Sequence, residues 1–149
     1  MLKSVREVTS DHIMQVAENM RLLDIEECRV SVDLCPQEAL ENGMRDSEYR
    51  FAIVREDNGE AIFIGGVCEG GVVWGLGTDL IVDYKKDFIR VTKDLLADIE
   101  TKYEFIHNLV YAKNLVHVNW LKFMGCDILD IHTVNDAEFY YFKRVSKNV

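Results

Sequence analysis

Along the chain, stretches in which apolar residues recur every second position alternate with stretches in which they recur every three or four. Leu2 to Val8 alternates weakly, then meets Thr9-Ser10-Asp11. The side-chain oxygens of that cluster suit the cap of a helix carrying Ile13, Val16, Ala17 and Met20 on one face. Pro36 fits the first turn of a second short helix with Ala39, Leu40 and Met44, and Gly43 marks its expected end. Tyr49 to Glu56 and Glu60 to Cys68 read as strands joined at Asp57-Asn58-Gly59, and Gly70-Gly71 leads into a third at Val72-Val73-Trp74.

From Asp87 the period changes. Phe88, Val91, Leu95, Ile99 and Tyr103 share one helical face, which predicts a helix of about four turns. Phe105 to Ala112 is the next strand, and a crossover through that helix sets it parallel to the strand at Val72. A short helix follows at Asn114. Cys126 to Thr133 and Glu138 to Val145 close the chain as two strands around Asn135-Asp136. The last strand is expected to offer an exposed edge to another copy.

The 149 residues fit one domain, 1–149, large enough to bury a sizeable core. Seventeen basic against twenty-six acidic residues leave a net charge of −9, which opposes binding to nucleic acid. Cys28, Cys35, Cys68 and Cys126 are widely spaced, without a CxxC pair or a nearby histidine, so free thiols and no metal are expected. The first residues lack the apolar core of a signal peptide, and no uncharged run approaches a membrane span, so a reducing cytoplasm is expected. Trp74, Trp120, Phe63, Phe88 and Phe123 read as core packing.

The stretch from Val110 to Cys126 carries a strand into Ala112-Lys113-Asn114, then a short helix that stops at Gly125. It resembles the second half of the GCN5-related N-acetyltransferase (GNAT) fold, and the whole order of elements is similar to that of the family. The resemblance implies an α+β (α/β-like) domain: a mixed, mostly antiparallel central sheet of six or seven strands, about four helices, and one parallel strand pair at the cofactor cleft. It further implies acetyl-CoA as cofactor, with its pyrophosphate held by main-chain N–H groups at the start of the long helix.

Two departures stand beside that resemblance. The segment Thr78 to Arg90 holds no glycine, and Asp83 and Asp87 sit at the positive end of the helix dipole, where they would repel a pyrophosphate. Lys85, Lys86 and Arg90 are the candidate phosphate-binding side chains there, against their reading as a solvated face. Where family enzymes carry a proton-donating tyrosine, this chain has Leu121. Asn114 matches the asparagine that orients the pantetheine arm, and it also suits a helix cap. His117 is a candidate proton carrier near neutral pH or a hydrogen-bonded core histidine. Glu69 and Asp79, beside the central strand, are candidate general bases for an attacking amine.

The pattern Asn-x-x-His-x-x-Trp-Leu-Lys-x-x-Gly from Asn114 to Gly125 is similar to tailed-phage GNAT-like proteins, among them the internal virion protein A family. That resemblance implies a phage protein of the host cytoplasm, incorporated in the phage head or engaged in its assembly, whose partner is a phage structural protein or a host protein. Three functions follow as expectations. One is a virion-associated or head-assembly protein with a degenerate acetyl-CoA site. Another is an active N-acetyltransferase acting on a protein or small-molecule amine, for which alignment of amine and thioester contributes roughly 7–11 kcal/mol. The third is an inhibitory module covering a basic surface on a host enzyme.

Overall fold

The structure is a computed structural model, and it describes residues 1–146. Its strands are β1 (Leu2–Val5), β2 (Ser47–Arg55), β3 (Ala61–Cys68), β4 (Val72–Gly77), β5 (Phe105–Tyr111), β6 (Asp127–Val134) and β7 (Ala137–Val145). Its helices are α1 (Ser10–Glu18), α2 (Leu22–Val32), α3 (Pro36–Asp46), α4 (Lys85–Glu100) and α5 (Leu115–Phe123), with a 3-10 turn over Asp79–Tyr84. The strands form one seven-stranded sheet in the order β1-β2-β3-β4-β5-β7-β6. Every neighbouring pair is antiparallel except β4 and β5.

β2 shows why the sheet is covered on both faces. Its Tyr49, Phe51 and Ile53 pack with Phe88, Val91, Leu95 and Ile99 of α4, whereas Ala52 and Val54 pack with Val16 of α1 and Leu40 of α3. Strand alternation thus feeds two cores from one segment. β3 is buried almost throughout, which is why its sequence is a continuous apolar run instead of an alternating one. A third cluster, Val110, Val118, Leu121, Cys126 and Phe142, seats α5 against β5 and β7.

Several local expectations are corrected. Helix α2 was not expected, and the described residues hold five α-helices where about four were expected. Gly43 does not end α3 but lies within it, because a Cβ there would run into the Trp74 indole and glycine lets the ring lie against the helix. The last strand is no free edge: β7 is paired with β5 on one side and β6 on the other, so β6 and β1 are the edges. Helix α5 does close on Gly125, whose φ of 85° is the left-handed geometry that lets the Cys126 N–H reach back to the Leu121 carbonyl at 3.0 Å. Among the described residues no helix is long and apolar enough to cross a membrane, and no group of three or more His, Cys, Asp or Glu side chains is placed to hold a metal.

Candidate functional site

β4 and β5 pair at one position, Val72 with His107, and then separate. Beyond it, several main-chain groups that would otherwise join the two strands are met from elsewhere in the chain. Asn108 donates through Nδ2 to the Val73 carbonyl at 2.8 Å and accepts the Leu109 N–H at 2.7 Å. The Gly77 N–H is bound by Asp24 Oδ2 at 2.9 Å, and the Gly77 carbonyl accepts the Arg21 N–H at 2.9 Å. The Tyr111 N–H is bound by Glu27 Oε1 at 2.8 Å. Buried main-chain groups demand partners, and at these positions the chain supplies them itself.

Helix α2 brings these carboxylates in. Asp24, Glu27, Cys28 and Ser31 recur at three- and four-residue steps and so share a face. Asp24 lies in the first turn, where the helix dipole favours a negative charge. It is only 3 % exposed, and its Oδ1 accepts from Arg21 Nη1 at 3.1 Å and from Asn114 Nδ2 at 2.8 Å. Arg21 Nη2 donates in turn to Asn114 Oδ1 at 3.3 Å, closing a three-residue ring. Asn114 therefore occupies the N-cap position of α5 without capping it: its side chain is committed to Asp24 and Arg21, which corrects the expected capping role.

Burial raises the Glu27 carboxyl to about 7, with the neighbouring Asp24 charge adding to the rise and the Tyr111 N–H and Arg21 opposing it. Half-buried His117 is held below the ordinary imidazole range, chiefly because its ring nitrogens are withdrawn from water; Asp24 acts against that shift and Arg21 with it. Burial also pushes the thiols of Cys28 and Cys126 up to about 12 and about 11, so both stay protonated and weakly nucleophilic.

Two cavities meet at the splay. One, of about 460 Å³, passes between β4 and β5 and is lined by Glu27, Trp74, Asn108, Leu121 and the side chains under α4. The other, of about 300 Å³, lies between the 3-10 turn, α4 and α5, with Arg21, Asp24, Lys85, Val116 and Phe123 in its wall. Phe63, Gly75, His117 and Trp120 border both. The Trp120 Nε1–H is buried and has no hydrogen-bond partner among the described residues. Phe123, expected in the core, is 61 % exposed beside the smaller cavity.

The residues singled out in the sequence are therefore dispersed. His117 and Asn114 are at the splay, and Lys85 is on the wall of the smaller cavity. Lys86 is exposed and borders neither cavity. Arg90 turns away: its Nη2 donates to the Leu2 carbonyl at 3.1 Å and reaches Asp87 at 3.4 Å, while Asp87 accepts the Leu2 N–H at 3.1 Å. Together they fasten β1 to α4. Glu69 is exposed in the β3–β4 turn and Asp79 is exposed at the start of the 3-10 turn; neither borders a cavity. Arg21, Asp24 and Glu27 were missed because α2 was missed.

Comparison with solved structures identifies the fold. The ribosomal-protein-S18-alanine N-acetyltransferase of Escherichia coli superposes with a TM-score of 0.66 at 10% identity, covering 100% of this chain and 99% of that one. A putative acetyltransferase reaches a TM-score of 0.73 at 10% identity, over 98% of this chain and 84% of its own. The aminoglycoside acetyltransferase AAC(6')-Ib, in complex with coenzyme A, gives 0.66 at 14% identity over 97% and 95%. The fold is that of the GNAT acetyltransferases. No curated protein sequence matches the chain. The family described as "Bacteriophage T7, probable scaffold protein Gp13" matches residues 52–133, more than half of the chain.

Proposed function

Because the chain belongs to the family of the bacteriophage T7 probable scaffold protein Gp13, we propose that it is a phage-encoded virion-associated or head-assembly protein. It works through protein contacts on a GNAT fold whose acetyl-CoA site is degenerate. The observation that carries the second half of this reading is the self-satisfied splay. Asp24 holds the Gly77 N–H, Asn108 holds the Val73 carbonyl and Glu27 holds the Tyr111 N–H. A pantetheine arm lying between the strands would have to displace these bonds, the buried one to Asp24 charge-assisted, to reach those groups. The phosphate end is no better provided. Asp83 and Asp87 flank the first turn of α4, the segment has no glycine to turn successive amides toward one anion, and Arg90 is engaged with β1. The residues present do not fit a diphosphate.

Calorimetry with acetyl-CoA tests the degenerate site: no heat at millimolar cofactor is expected, and micromolar binding that disappears in Asn114→Ala would overturn it. Mass spectrometry of purified particles tests the virion role. The protein is expected in procapsids or mature heads, and absence from both would remove it. Host cytoplasm followed by incorporation in the head is the location this reading implies, and a phage structural protein or a host protein is the partner.

A second reading, an acetyl-CoA-dependent N-acetyltransferase of a protein or small-molecule amine, is favoured by one feature. The cavity of about 460 Å³ crosses the sheet with Glu27 and His117 on its wall, and a carboxyl raised to about 7 is suited to accept a proton near neutral pH. With Leu121 in the core and without a proton to give, protonation of a leaving thiolate would fall to water or His117.

A further inference from the structure

We infer that the groove between the 3-10 turn, α4 and α5 docks an acidic segment of a partner protein anchored by an apolar side chain; this rests on the protein-contact reading above. Three independent features of the groove point to that occupant.

The first is exposed apolar surface around a concavity. Val82, Val116 and Phe123 are 63 %, 65 % and 61 % exposed, and all three border the cavity of about 300 Å³. Large apolar side chains rimming a pocket of this size suit one buried aliphatic or aromatic anchor. The second is the Trp120 Nε1–H, which is removed from water and has no acceptor among the described residues, in a side chain that borders that cavity. Leaving such a donor unmade is costly, and a main-chain carbonyl of a docked segment supplies the missing acceptor.

The third is charge. The chain carries a net −9, yet cations gather at this groove. Lys85 stands in its wall, the Lys93 ammonium lies 5.3 Å from the Phe123 ring centroid, and Lys122 adjoins Phe123 on α5. Among the described residues none of these three lysines is in an ion pair. Acidic side chains flanking the anchor meet them, and such complementarity governs encounter rate and choice of partner.

The test is fluorescence polarisation of the full chain with a labelled synthetic peptide of alternating glutamate, leucine and phenylalanine, beside a control peptide carrying lysine for each glutamate. The acidic peptide is expected to bind saturably and the basic one not at all. Phe123→Glu and Val116→Glu should each weaken binding at least about tenfold at unchanged melting temperature. Trp120→Phe, which keeps a ring and deletes the donor, should weaken it a few-fold. Lys85→Glu with Lys93→Glu should weaken it and flatten its dependence on salt.

Equal binding of both peptides, absence of binding, or indifference to Phe123→Glu overturns the inference. Displacement of the peptide by acetyl-CoA would return the groove to a cofactor. Self-association of the chain that Phe123→Glu abolishes would assign it to a second copy. Either result also overturns the inference. The outcome is separable from that of the virion reading. Peptide binding by a protein absent from particles leaves the groove and removes the virion role, whereas a protein found in particles without peptide binding leaves the role and removes the groove.

Discussion

On the α2 side of the splay, charged and amide groups drawn into the interior are answered from within the chain: Arg21, Asp24 and Asn114 bind one another, and Asp24 and Glu27 bind the amides of Gly77 and Tyr111. On the α5 side the reverse holds, with Val116 and Phe123 in solvent and the Trp120 Nε1–H without an acceptor. The same parting of β4 from β5 thus has one mouth whose buried polar groups are closed into the chain's own hydrogen bonds, beside the cavity that Glu27 lines, and one whose apolar rim is left open. Buried polar networks earn rigidity only when complete. A substitution at the closed mouth should therefore cost folding, and one at the open mouth should cost binding.

The largest effect is expected at Asp24. Asp24→Ala leaves the Arg21 guanidinium, the Asn114 amide and the Gly77 N–H without their shared acceptor. Removing one partner of a buried pair costs about 3–5 kcal/mol, readable as a lower denaturant midpoint at unchanged slope. A loss under about 1 kcal/mol would mean that water already reaches this mouth, and the contrast between the two sides would collapse.

Glu27 gives a pH signature. Its folded value, about 7, lies above the ordinary 4.5, so its contribution is intact below about pH 4.5 and is lost as pH rises through about 7. The full difference is worth about 3 kcal/mol as an upper figure. Glu27→Gln keeps an acceptor for the Tyr111 N–H and has no charge to bury. It should match the parent at pH 4 and exceed it in thermal stability at pH 8. His117 works in the opposite direction. Its value is depressed, so stability is present above about pH 6.5 and declines as pH falls below it. His117→Gln should flatten that acid limb, as a melting series from pH 7 to 5 would show.

Next in size is Asn114→Ala, which removes one donor from Asp24 and one acceptor from Arg21 while leaving their ion pair at 3.1 Å. A loss of about 1–3 kcal/mol is expected. Asn114 also shows where the sequence stopped being legible. The β2–β3 hairpin, the long face of α4 and the closure of α5 on Gly125 could be read because each is written in residues a few positions apart. The commitment of Asn114 is written 90 residues away, at Asp24. Helix α2 itself gave no period to read: Leu22 and Val32 are exposed while Asp24 is buried, and its N-cap Arg21 makes no side-chain capping bond. A helix whose polar residues point inward reverses the pattern by which helices are recognised. Glu69 and Asp79 failed as base candidates for a related reason, since closeness to a strand in sequence did not set them on its cavity side.

The smallest effect on stability is expected at the open mouth, and its smallness is the informative part. Phe123 is 61 % exposed, and the only ring interaction it makes among the described residues is with the Lys93 ammonium. Phe123→Glu should therefore change unfolding free energy by no more than about 0.5 kcal/mol, a surface-like value for so large an apolar side chain. A helix of α5's length that spends an aromatic residue on solvent gains nothing for its own folding. If chemical denaturation instead shows a loss above about 2 kcal/mol, Phe123 is packed in solution, the groove is closed in the free protein, and both mouths of the splay are finished by the chain alone.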